Sequence, residues 1–110
     1  MTAHQKGFEL IFMAPRSRRH GHRTVIDAVV ATAESLGITR MTRREDAEGC
    51  GADGQVHSAH FFELADQPVE LMYVLDGALA DRLIEAVDQA GIRVFHLRRA
   101  VEFGQLGEDG

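Results

Sequence analysis

RREDAEGCGADGQVHSAHFF, Arg43 to Phe62, runs from basic through acidic and glycine-rich sequence into a half-apolar segment with strand character. Read as a long loop between two strands, it divides the chain into two halves of similar pattern. Upstream, GFELIFMA (Gly7 to Ala14) is apolar and aromatic and is stopped by Pro15, which cannot donate to a ladder. RSRRHGHR follows and is too polar for a core element. From Thr24 to Leu36, Val25, Ile26, Val29, Val30, Ala33 and Leu36 recur at helical spacing, and Gly37 stands at the C-cap position. ITRMTRRE alternates loosely and suggests a half-exposed strand.

Downstream, Val56 to Leu64 is a strand candidate, ADQP a turn or kink, and VELMYVLD a further strand from which Pro68 excludes an uninterrupted central run. Leu79, Leu83, Ile84 and Val87 mark one face of a second helix over Ala78 to Ala90, closed by Gly91. Ile92 to Leu97 reads as the last strand, VEF as a short addition, and residues 105–110 as a flexible tail. The order is β-α-β-loop-β-α-β. It predicts one α+β domain over 1–104 with the ferredoxin-like split βαβ (βαββαβ) topology. That topology brings RSRRHGHR beside the glycine-rich loop.

The chain has 110 residues, enough for one core. Its longest apolar runs, such as LIFMA, are too short to span a bilayer, and MTAHQKGFEL lacks a secretory pattern. The single Cys50 can form no intramolecular disulfide, and a reducing cytoplasm is the expectation. A net charge of −5 argues against nucleic acid as a partner. The charge is unevenly placed: seven arginines lie between Arg16 and Arg44 against Asp27 and Glu34, and then Glu45, Asp46, Glu48 and Asp53 follow without a base. The basic stretch suits a phosphate-bearing partner.

LGITRMT entering EGCGADG, the return FFELADQPVELMYVLD and the closing RVFHLRRAVEFGQLGE together resemble a divergent branch of the PII signal-transduction family, from Val25 onward. The resemblance implies a homotrimer with small-molecule sites, commonly for adenine nucleotides, in clefts between subunits. It also implies a T-loop, here residues 45–57, that signals to a protein partner such as a membrane transporter. The sequence departs from typical members in several places. The loop has no tyrosine, the phosphate loop is reduced to QAGIR, Val69 replaces a lysine, and the C-terminal arginines fall at Glu102 and Gly104. Most triphosphate-binding charge is therefore missing.

The ligand-binding candidates are Gly49 and Gly51, whose backbone N–H groups can approach a ligand, with Arg16, Arg18, Arg19, His22, Arg23 and Arg43 as phosphate or carboxylate partners. A plain flexible loop and a solvated basic loop are the competing readings. A metal alternative uses His20, His22, Cys50 and His57, although their spacing follows no metal motif. His96, between Phe95 and Leu97, reads as a structural histidine. No G-x-S-x-G, H-E-x-x-H or GxxxxGK[ST] motif occurs, so no enzyme is expected.

Overall fold

In the computed structural model, which describes residues 4–45 and 67–107, the first strand β1 (Gln5–Pro15) forms the centre of the sheet. It is followed by two short strands, β2 (Arg19–His20) and β3 (Arg23–Thr24), and by helix α1 (Val25–Ser35). Strand β4 (Thr42–Glu45) comes next; then β5 (Pro68–Asp76), helix α2 (Gly77–Gln89) and β6 (Phe95–Phe103) complete the described chain. Strands β4, β5, β1 and β6 form one sheet in that order, each neighbouring pair antiparallel. This is the predicted ferredoxin-like arrangement, with the return strand β5 between β1 and β4.

Register assigns the faces. Phe8, Leu10, Phe12 and Ala14 of β1 lie opposite Leu75, Tyr73, Leu71 and Val69 of β5, and directly opposed residues share a face. Leu10, Phe12, Ala14, Val69, Leu71 and Tyr73 are all at most 1% exposed and pack under the helices with Ile26, Val29 and Leu83. Phe12 and Tyr73 meet edge to face with ring centroids 6.1 Å apart.

Both helices begin and end as the sequence predicts. The Thr24 hydroxyl accepts the Asp27 N–H at 3.1 Å, and the Asp76 carboxylate accepts the Leu79 N–H at 2.9 Å, so each N-terminus is capped by a side-chain oxygen. At the far ends Gly37 (φ 79°) and Gly91 (φ 71°) take the left-handed conformation. The next residues then donate backward, Ile38 N–H to Ala33 O at 2.9 Å and Ile92 N–H to Val87 O at 3.3 Å. Ile38 and Ile92 are buried at these turns, which closes the core at the helix ends.

Three readings are corrected. RSRRHGHR is not an irregular loop but contains the β2–β3 hairpin. Its two-residue connection Gly21–His22 has φ 64° at Gly21 and no positive φ at His22, which fits a type II′ turn. The half-exposed strand expected from Ile38 is shorter: Ile38 is consumed by the helix-closing turn, and pairing starts at Thr42. The last strand starts later and runs longer than expected, as one element from Phe95 to Phe103. Its pairing with β1 is continuous from Phe95↔Met13 to Phe103↔Gln5. The expected strand over Val56–Leu64 lies outside the described residues.

Candidate functional site

Pro15 and Pro68 are the last paired residues of the β1–β5 ladder, and the Arg16 N–H closes it by donating to Gln67 O at 2.8 Å. On the other side of β5, Glu45 pairs with Val69 at the end of β4. Both chain ends that flank residues 46–66 therefore emerge at one end of the sheet, immediately beside the start of the basic hairpin. RSRRHGHR starts beside Gln67, which flanks residues 46–66; its predicted juxtaposition with the glycine-rich segment itself lies outside the described residues. Gly49, Cys50, Gly51 and His57 lie outside the described residues.

The hairpin is held by backbone geometry more than by side chains. Arg18 N–H donates to Pro15 O at 3.1 Å and Val25 N–H to Arg18 O at 2.8 Å, which fixes the hairpin to the start of α1. The Arg16 guanidinium donates to the Gln67 side-chain oxygen, and Arg19 donates to the His22 carbonyl at 2.7 Å. No side-chain partner is found among the described residues for Arg18, His20, His22 or Arg23.

This differs from the arginines of the main sheet. Arg98 pairs with Asp81 at 2.7 Å while lying 4.6 Å from the Phe8 ring centroid, and Arg99 pairs with Glu9 at 2.6 Å. Arg43 points to the helix side and lies 3.2 Å from both Asp27 and Glu45. The structure thus gathers Arg16, Arg18, Arg19, His22 and Arg23 on or beside the hairpin, with neutral acceptors where any are found. Arg43 sits apart on β4, already between two carboxylates. A guanidinium without a carboxylate neighbour retains its capacity for an external anion.

A groove of about 470 Å³ lies behind the hairpin, with His20, His22 and Arg23 on one wall and Ala31, Thr32 and Ser35 of α1 opposite. Its far end is closed by Ala90 and Ile92, which follow α2. The sequence identified the basic wall but not the groove, because the apposing residues become neighbours only through packing.

His96 is on the helix side of β6, opposite Phe12, with the two rings stacked at 6.3 Å and 30°. It lies on the opposite face from Phe95 and Leu97, as alternation predicts, and its side chain is exposed beside the Phe12 ring. Among the described residues no group of three or more His, Cys, Asp or Glu side chains is placed to hold a metal. No helix among them is long and apolar enough to cross a membrane.

The fold defines the class: this chain has the ferredoxin-like α+β architecture that solved PII-like proteins share. A family model described as DUF190, "Uncharacterized ACR, COG1993", matches residues 10–101, and the chain belongs to that family. Solved structures share the architecture at low identity. CPII from Thiomonas intermedia K12, bound to ADP, AMP and acetate, has a TM-score of 0.65 and 11% identity, over 94% of this chain and 93% of that one. The apo form, described as a nitrogen regulatory PII-like protein, has a TM-score of 0.65 and 9% identity, over 96% and 99%. A chain from Thermus thermophilus described as a PII-like signaling protein gives 0.58 and 13%, over 92% and 91%. No curated protein matches the sequence significantly.

Proposed function

We propose that this protein is a PII-like regulator, not an enzyme, that binds a small anionic effector at the base of the 45–57 loop. The effector is an adenine nucleotide with few phosphates, and the loop reports its presence to a protein partner such as a membrane transporter. The observation that carries this reading is the meeting of both loop ends with an arginine hairpin whose acceptors among the described residues are neutral. Ligand binding there has a direct mechanical outlet. An anion held by Arg16 and its hairpin neighbours contacts the point at which the loop leaves the sheet, so it can favour one loop state by its differential affinity. CPII, of the same fold, has been solved with ADP and AMP. Gly49 and Gly51 are proposed to supply backbone N–H groups to the same ligand.

Assembly as a cytoplasmic homotrimer belongs to the same proposal. The sheet face away from the helices carries Ile11, Met13, Met72, Val74, Leu97 and Val101 by register, and no described helix covers it. Val74 is 40% exposed in the isolated chain. An apolar sheet face of this kind favours burial against other copies. The resemblance to PII proteins supports three copies in particular.

The test is calorimetric titration of AMP, ADP and ATP, with hydrogen exchange over 46–66 in the presence and absence of ligand. AMP or ADP should bind and change exchange in that segment, and ATP should bind more weakly. At about a hundred times its dissociation constant a ligand specific to the folded state adds roughly 2.7 kcal/mol. Absence of binding by all three nucleotides would remove the proposal.

A further inference from the structure

We infer that the β2–β3 hairpin and α1 form, within one protomer, a separate groove for the phosphate monoester of a hydroxylated small molecule. The inference shares the basic hairpin with the reading above but requires neither assembly nor the 46–66 segment.

The groove's volume, about 470 Å³, is within the range of small-molecule sites. Its charge is one-sided. Among the described residues Arg23, His20 and His22 line it, no carboxylate does, and none of these three side chains has a partner. The described arginines that form ion pairs, Arg43, Arg98 and Arg99, all do so with Asp or Glu. The groove therefore offers an unneutralised guanidinium beside two imidazoles, a donor set that suits phosphate oxygens.

The opposite wall supplies a different chemistry. Ala28 and Ala31 keep its relief low, so that a ring can lie close to the helix. The Thr32 hydroxyl already donates to Ala28 O at 2.8 Å, and the Ser35 hydroxyl donates to Thr32 O at 2.6 Å. Their protons are committed to the helix backbone, which leaves the oxygens as acceptors. A ligand meets both walls at once when it carries a phosphate for Arg23 and hydroxyl donors for Thr32 and Ser35. A sugar phosphate and a nucleoside monophosphate share that chemistry. Inorganic phosphate has only the first half.

The experiment is an amide NMR titration at low salt with ribose 5-phosphate, AMP and inorganic phosphate. The wild type is compared with Arg23→Gln and with Ala31→Leu, which narrows the groove. Ribose 5-phosphate should shift the amides of Gly21, Arg23, Thr32 and Ser35. Each variant should weaken binding by about tenfold or more, as expected on losing a charge-assisted bond or the space for the ligand, while its spectrum remains that of the folded protein. Inorganic phosphate should bind more weakly than ribose 5-phosphate, and equal affinity would overturn the hydroxylated-ligand assignment. The groove is refuted if none of these amides moves, or if both variants bind as the wild type does. AMP separates the two readings. Shifts confined to Glu45, Gln67 and neighbouring loop-base amides would sustain the effector site and remove the groove. Shifts confined to the groove would do the reverse.

Discussion

Pro15 and Pro68 face each other as the last pair of the β1–β5 ladder. Arg16 and Gln67, the next partners in register, still share one backbone bond, and both strands leave the sheet at this level. One strand continues into the arginine hairpin; the other is preceded by residues 46–66. The register thus brings the basic segment beside Gln67. The Arg16 N–H to Gln67 O bond then secures the junction.

Tyr73 is fully packed, and its hydroxyl has no hydrogen-bond partner among the described residues. Burial, with a smaller contribution from the Glu34 charge, pushes the phenol up to about 12. The folded state therefore holds the proton more tightly than the unfolded chain, whose phenol titrates near 10. The associated stability is fully present below about pH 10 and is lost as pH rises to about 12, by roughly 2–3 kcal/mol in all. Tyr73 is the only tyrosine and there is no tryptophan, so near-ultraviolet absorbance follows this group directly. Tyr73→Phe should be as stable as wild type or more so at neutral pH, because an unsatisfied buried hydroxyl is removed. In denaturant melts it should also lose this part of the alkaline destabilisation.

Gly7 sits in β1 where an added Cβ would collide with the Leu75 carbonyl oxygen and the Phe103 ring. The carbonyl is backbone in a paired strand and cannot turn aside. Gly7→Ala should destabilise by about 1–3 kcal/mol, the usual range for overpacking, measured by urea unfolding. Gly77→Ala, whose Cβ would meet only the Phe8 ring at 3.6 Å, should be tolerated much better.

Asp27 is in the first turn of α1 and pairs with Arg43 of β4, with side chains 53% and 35% exposed respectively. Both partners see solvent, so the pair and the helix-dipole contribution together should be modest. Asp27→Asn is expected to cost about 0.5–1 kcal/mol in thermal melts, and high salt should remove most of the difference. A salt-independent loss would point to the Asn side chain disturbing the Thr24 cap instead.

Ile11 and Leu97 are directly opposed on the uncovered sheet face. A charge at Leu97 would have to be buried in any assembly that covers this face, so Leu97→Glu should convert the proposed trimer to monomers in light scattering. The monomer should keep its secondary structure, since Leu97 does not belong to the core beneath the helices. An unchanged trimer would show that other surfaces hold the copies together.

Leu83 illustrates what local pattern can reveal. Its spacing from Leu79 and Val87 marks one helical face, and it is 0% exposed beneath α2. Leu83→Ala should cost roughly 2–5 kcal/mol in the same unfolding measurement. Val25, Ile26 and Val29 were legible in the same way. The arginine hairpin was legible in composition but not in form, because two-residue strands leave no periodicity to read. Arg43 shows the opposite failure: in sequence it is another cation of the basic stretch, and only tertiary structure places Asp27 beside it.

The sequence by itself determined the order of the main strands and helices among the described residues, the closing glycines Gly37 and Gly91, the apolar helix faces and the basic character of Arg16 to Arg23. These properties depend on residues a few positions apart, where backbone geometry and side-chain spacing act directly. Tertiary structure alone decided which cations meet a carboxylate, that Pro15 meets Pro68, and that a groove opens between the hairpin and α1. Charge pairing and cavity shape arise from strand register and helix packing. They join residues whose separation along the chain carries no local signal.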